Sequence, residues 1–184
     1  MQNKDRLRKK YYSLRKKNYF NIKPIFFNSL IILLKKKYSK KSINLSIYYP
    51  SSFEINVLKL LEIKIFKKTK TFLPVVTGNN SMNFYRWQKE DVLKINKFGM
   101  LEPYLSSKSS IPDVMLVPLL AYDKDKNRLG YGKGFYDRYL RKYLKRYKNI
   151  LTIGIAFSFQ KYHKLPVSNN DIKLNYILTE KGIF

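Results

Sequence analysis

Three glycines at alternate positions sit among full charges in the segment Arg128-Leu129-Gly130-Tyr131-Gly132-Lys133-Gly134-Phe135-Tyr136-Asp137-Arg138. Inside a strand or a helix glycine costs stability and brings no side chain to pack, so the alternation serves neither element. It does suit a loop whose backbone N–H groups turn toward an anion. Arg128 and Lys133 add full positive charges on either side. Together these parts describe a polyphosphate cradle. The spacing is neither that of a P-loop, Gly-x-x-x-x-Gly-Lys-Ser/Thr, nor that of the dinucleotide fingerprint, whose third glycine falls one residue later. A glycine-rich surface turn remains the competing reading. Asp137 could hold magnesium, a hard cation that takes carboxylate and phosphate oxygens together, and it equally suits the positive end of a helix.

Such a loop works only if flanking elements fix it. Val114 to Leu120 is a continuous apolar run, the pattern of a strand buried on both faces, and residues from about 135 to 147 read as a helix. The loop therefore joins a buried strand to a helix N-terminus, which contributes free N–H groups and partial positive charge. A second buried strand, 150–155, and a short closing strand, 176–178, follow. Upstream, Leu7, Tyr11, Leu14 and Asn18 mark a helix over 3 to about 19, with cations on its other faces. A second helix is predicted over 24–37 and a strand over 45–49, ending at Pro50. Ser51 and Ser52 offer an N-cap for a helix over 53–62. A hairpin is predicted from 70–76 and 82–87, turning through Thr77-Gly78-Asn79-Asn80-Ser81. Residues 99–112 read as a loop. Alternating strands and helices predict an α/β fold, a single-domain layered architecture over 1–184 with a central mixed, largely parallel sheet flanked by helices.

The 184 residues hold 38 Lys+Arg against 12 Asp+Glu, a formal charge of +26 that invites a nucleic-acid reading. Of those cations 30 are Lys and 8 are Arg, whereas bidentate phosphate and base recognition leans on Arg. The chain also carries 17 Ile, 16 Tyr and 15 Asn with only Ala121 and Ala156 as alanines, a bias across unrelated residue types. The charge is thus expected to be generic surface, the runs Lys35–Lys41 and Lys64–Lys70 included, with no specific nucleic-acid partner. Hydrophobic residues at 45% exclude a disordered chain, and zero Cys excludes disulfides, thiol nucleophiles and Cys-ligated metals. The apolar run Ile25–Leu34 is interrupted by Asn28 and Ser29, and is too short for the ~20 residues of a membrane span. A cytoplasmic location and no membrane partner are expected. His163 lacks a nucleophile or metal partner in any recognisable motif and reads as a loop residue. Trp87 reads as packing.

Val117-Pro118-Leu119-Leu120-Ala121-Tyr122-Asp123 followed by Asn127 through Leu140 resembles the signature of the 5-formyltetrahydrofolate cyclo-ligase family, also called methenyltetrahydrofolate synthetases. Lys4 and Arg8, one helical turn apart, resemble the family's N-terminal Lys-x-x-x-Arg. Pro50 to Asn56 resembles its folate-contacting loop. Phe72-Leu73-Pro74, Met82-Asn83-Phe84, Gly99 to Pro103 and Leu165-Pro166 through Glu180 resemble further landmarks.

The resemblance implies an ATP- and Mg-dependent enzyme that cyclises 5-formyltetrahydrofolate to 5,10-methenyltetrahydrofolate through a phosphorylated formyl group. It implies that Lys133 and Arg128 carry catalysis. ATP would be bound by Lys4, Arg8, Arg128, Leu129, Gly130, Tyr131, Gly132, Lys133, Gly134, Phe135 and Tyr136. Folate would be bound by Tyr49, Glu54, Tyr131 and Tyr136, and Mg2+ by Asp137 and Asp171. A monomer or weak dimer is expected, acting on these two small molecules. Three positions depart from the family's pattern. Asn175 stands where a second acid is common, Asn56 where a small polar or acidic residue is usual, and Phe135 where Tyr is frequent. A basic RNA-binding protein, or a nucleotide-binding protein without the folate reaction, are the alternatives.

Overall fold

The computed structural model describes residues 4–38, 42–66, 69–78, 81–105, 108–147 and 149–184. Asn3 of the predicted first helix, Asn79 and Asn80 of the predicted hairpin turn, Ser106 and Ser107 of the predicted loop, and Lys40, Lys41, Lys67 and Lys68 of the cationic runs lie outside them.

Helix α1 (Lys4–Asn18) buries Leu7, Tyr11 and Arg15, a stripe of strict four-residue spacing. The expected stripe through Leu14 and Asn18 is corrected at its far end. Asn18 is exposed and donates from Nδ2 to the Leu14 carbonyl at 2.8 Å, so it closes the helix instead of packing. A short 3-10 turn at Pro24–Phe27 leads into α2 (Asn28–Tyr38). Strand β1 (Asn44–Ser46) is shorter than predicted, although Ile47 still bonds to the Phe72 carbonyl. The helix expected over 53–62 is instead a left-handed turn at Ser52 and Phe53, with φ of 48° and 64°, followed by a 3-10 turn at Val57–Glu62. Its cap is Asn56, whose Oδ1 accepts from the Leu58 N–H at 3.1 Å, and not Ser51 or Ser52.

The predicted hairpin is β2 (Lys70–Thr77) with β3 (Ser81–Arg86). Two short strands, β4 (Leu93–Ile95) and β5 (Leu101–Pro103), pair with each other, the second lying inside the stretch 99–112 that reads in sequence as loop. The apolar run becomes β6 (Val114–Pro118), which stops at its proline. After it come β7 (Ala121–Tyr122), β8 (Arg128–Leu129), α3 (Phe135–Leu144), β9 (Leu151–Ile155), β10 (Tyr176–Thr179) and β11 (Gly182–Ile183).

Seven strands form one mixed sheet in the order β11-β10-β9-β6-β1-β2-β3, parallel except for the two edge strands. Successive side chains of a strand face opposite sides, and β6 obeys this. Val114 and Leu116 join the cluster that contains Leu30 and Leu34 of α2. Met115 and Val117 join the one that contains Tyr139 and Leu140 of α3. Both faces are covered, which is why the central strands read as unbroken apolar runs. From β1 the chain moves to β2 on one side, and from β6 to β9 on the other. Ligands of open α/β sheets bind at such a reversal, outside the carboxyl ends of the strands.

Candidate active site

A cleft of about 730 Å³ opens there. The carboxyl ends of the central strands supply its floor through Tyr48 and Tyr49 beyond β1, Pro74 and Val76 of β2, and Pro118 of β6. All fifteen residues nominated from the sequence line this one cleft.

The glycine loop leaves a rigid base. The fully buried Asp123 carboxylate accepts from the N–H groups of Asp125 and Asn127 and the side chain of Asn127, each at 3.0 Å, and from the Leu165 N–H at 3.1 Å. Gly132 and Gly134 have φ of 98° and 66°, so the turn into α3 uses backbone that L-residues avoid. Gly130 adopts no such conformation. Its carbonyl accepts from Arg8 Nε at 3.0 Å, and a Cβ on Gly132 would lie 3.3 Å from Arg8 Cζ. Helix α1 thus lays Arg8 directly against the loop.

Two cations nominated for phosphate are held by the two carboxylates nominated for metal. Arg128 Nη2 donates to Asp137 Oδ1 at 2.7 Å, and Lys4 Nζ to Asp171 Oδ2 at 2.5 Å. Asp137 also accepts from the Ile172 N–H at 3.1 Å, which ties α3 to the C-terminal segment. Burial pushes the Asp171 carboxyl up, but Lys4 and the Ser168 N–H and hydroxyl outweigh it and hold its pKa below the ordinary value. Lys133 is exposed, its Nζ 5.6 Å from the Phe98 ring centre.

The other half of the cleft centres on Glu54, which is 7% exposed. The Tyr131 hydroxyl donates to its Oε1, and the Ser51 N–H to its Oε2 at 2.9 Å. Burial pushes the Glu54 pKa up, outweighing the opposing effects of Tyr131, Ser51 and Arg15. Desolvation and the Glu54 charge push Tyr131 and Tyr136 up as well. Tyr49 lies half-buried, its ring edge-on to Trp87 at 6.5 Å.

Whether polyphosphate and metal suit this lining can be judged from its donors. Arg128 Nε and the Tyr136 hydroxyl are buried with no partner among the described residues, a rare condition that acceptor oxygens entering the cleft would relieve. Among the described residues no group of three or more His, Asp or Glu assembles. Two carboxylates nonetheless suffice for magnesium, which draws most of its ligands from phosphate and water. The lining therefore fits both.

The departures are accounted for locally. Asn56 is the cap described above. Asn175 Oδ1 accepts from the Thr152 N–H at 2.8 Å and its hydroxyl at 2.9 Å, securing β9 away from the cleft. Phe135 packs edge-on to Phe98 at 5.5 Å. His163 is exposed outside the cleft, beside Tyr162, and Trp87 is buried packing. Sequence reasoning missed one wall, formed by Asn96, Phe98, Met100 and Leu101 around the β4–β5 pair, because three-residue strands carry almost no periodicity. It also missed Arg15, although the Leu7–Tyr11 spacing extends straight to it.

Residues 26–180 match the model of the 5-formyltetrahydrofolate cyclo-ligase family. A 5-formyltetrahydrofolate cyclo-ligase of Haemophilus influenzae is 32% identical over 141 residues, covering 73% of this chain and 74% of its own. One from Escherichia coli K12 is 31% identical over 137 residues, covering 71% and 74%. The solved 5,10-methenyltetrahydrofolate synthetase of Aquifex aeolicus superposes with a TM-score of 0.75 at 33% identity, covering 98% of this chain and 91% of that one.

Proposed function

The chain belongs to the 5-formyltetrahydrofolate cyclo-ligase family, and we propose that it uses Mg-ATP to cyclise 5-formyltetrahydrofolate to 5,10-methenyltetrahydrofolate. The formyl oxygen attacks the terminal phosphoryl group and ADP leaves. The neighbouring amine nitrogen then attacks the activated carbon, expelling phosphate and losing its proton. Phosphoryl transfer asks the protein mainly for alignment and charge stabilisation.

Each half of the cleft has a part in this. Gly132 and Gly134 open the loop so that its N–H groups and those at the start of α3 can meet phosphate oxygens. Lys133, with no carboxylate holding it in an ion pair among the described residues, offsets charge on the transferring group, and Arg128, Lys4 and Arg8 line the same cleft. Asp137 and Asp171 would hold magnesium, which supplies further charge neutralisation across the phosphates. Glu54 accepts from the donor edge of the pterin, while Tyr49, Tyr131 and Tyr136 border the ring. The enzyme is read as cytoplasmic, working on these two small molecules as a monomer or weak dimer.

The observation that carries the reading is the hydrogen bond from Tyr131, a residue of the glycine loop, to Glu54. It links the glycine loop, read as the phosphate cradle, through one side chain to Glu54, read as the folate acceptor. The test is to mix purified protein with 5-formyltetrahydrofolate and Mg-ATP alone and follow methenyl absorbance. Product formation is expected, and Lys133→Met should lower turnover at least 100-fold. No product from protein that still binds ATP would refute the folate reaction and favour a nucleotide-binding role alone.

A further inference from the structure

Arg15 is the anomaly of helix α1. It continues the buried stripe of Leu7 and Tyr11 and is 1% exposed, yet it carries a full charge. Among the described residues no ion pair joins it to a carboxylate, and its Nε has no partner. An unpaired buried cation is costly, and leucine would fill the same stripe without that cost. What the guanidinium does touch is specific. Nη2 donates to the Ser52 carbonyl at 2.8 Å, Nη1 to the Leu119 carbonyl at 3.2 Å, and Cζ stands 5.5 Å from the centre of the Tyr131 ring.

The Leu119 carbonyl has a second donor, Gln160 Nε2 at 3.1 Å, so Arg15 is not needed to satisfy it. Ser52 is different. Ser52 and Phe53 are consecutive left-handed residues without a glycine, a backbone that persists only when its surroundings hold it. The next residue is Glu54. Its carboxylate is in turn bonded by Tyr131, whose ring Arg15 faces.

We propose that Arg15 is the positioning residue for the folate half of the site: from α1 it holds the left-handed Ser52–Phe53 turn and the Tyr131 ring together, and so fixes Glu54 in the cleft. This rests on the folate reading above. It assigns α1 two jobs on one face, Arg8 at the glycine loop with Lys4 at Asp171, and Arg15, two turns on from Arg8, at the folate loop. Arg15 acts through Ser52 and Tyr131 and touches neither substrate.

The test compares the parent protein with Arg15→Lys and Arg15→Met, measuring KM for each substrate, Tm, and 5-formyltetrahydrofolate binding by quenching of Trp87, the single tryptophan, whose ring meets the cleft-lining Tyr49. Arg15→Met should raise KM and Kd for 5-formyltetrahydrofolate about 10-fold or more with KM for ATP within twofold, and Arg15→Lys should fall between. If Arg15→Met does not fold, Arg15→Lys alone must show that split. Unchanged folate KM and Kd in a folded variant, or parallel rises for both substrates, would overturn the proposal. Parent protein that neither binds nor converts 5-formyltetrahydrofolate would overturn the reading beneath it as well, which separates the two failures.

Discussion

Replacing Gly132 by alanine probes whether the loop's shape is used. At φ of 98° the residue lies outside even the left-handed helical well, so a side chain there carries a strain of roughly 1–3 kcal/mol. The new Cβ would also press within 3.3 Å of Arg8 Cζ, the far end of a flexible side chain that can yield by a few tenths of an ångström. Taking about 2 kcal/mol as the centre, two measurements share the cost. If the free protein keeps the loop as it is, Tm falls by roughly 4–8 °C, since each kcal/mol moves a chain of this size by ~2–4 °C. If the loop relaxes when free, the strain returns on binding, and kcat/KM for ATP falls by roughly 30-fold, at about 1.4 kcal/mol per decade. Intermediate behaviour divides the same sum. Calorimetry and initial rates at varied Mg-ATP read both parts. A variant with unchanged Tm and kcat/KM within twofold of the parent would refute the claim that this position needs glycine.

Glu54→Gln should raise the KM for 5-formyltetrahydrofolate by roughly 10- to 100-fold, the worth of a charge-assisted acceptor. Because burial raises the Glu54 pKa above 4.5, the parent's folate KM should climb as pH falls through that raised value, and the Gln variant should lose this limb. Steady-state kinetics across acid pH check both. For Asp171 the sign reverses: its folded pKa lies below 3.8, so the stability it contributes is present above that value and lost as pH falls through the lowered one. Thermal melts of Asp171→Asn should accordingly differ from the parent at neutral pH and converge in strong acid. Gly154→Ala tests packing in β9, because its Cβ would lie 2.7 Å from the Ile177 and Leu119 methyls. Overpacking of about 1–3 kcal/mol predicts a Tm loss of roughly 2–12 °C by calorimetry, with little change in either KM.

The parts legible in the sequence were those in which local pattern and tertiary role agree. Val114 to Pro118 is apolar throughout because both faces of β6 are covered, and Gly132 and Gly134 are glycine because their backbone demands it. Ser51 to Glu62 misleads for the opposite reason. Two serines before an apolar stretch suggest a capped helix, but a tertiary contact from Arg15 holds Ser52 left-handed and the cap moves to Asn56. Arg15 itself is masked by its own charge, since lysines and arginines around it are solvated. The charge reading sharpens in the same way. Among the described residues no lysine is buried, and the two buried cations are both arginines, Arg128 lining the cleft and Arg15 behind its Ser52 and Tyr131 lining. The pairing of Arg128 with Asp137 and of Lys4 with Asp171 has no signature in composition or spacing, because each joins segments that only folding brings together.

The bond between Lys4 and Asp171 spans 167 positions of the chain. Closing a loop of that length is the slow, entropically costly kind of step, and it comes after the local helices and hairpins have formed. During synthesis α1 is made before its tertiary partners: Arg15 must await Ser52 and Leu119, and Lys4 waits longest, for Asp171. The cleft is thus a late product of folding, completed only when α1 meets the segment that carries Asp171.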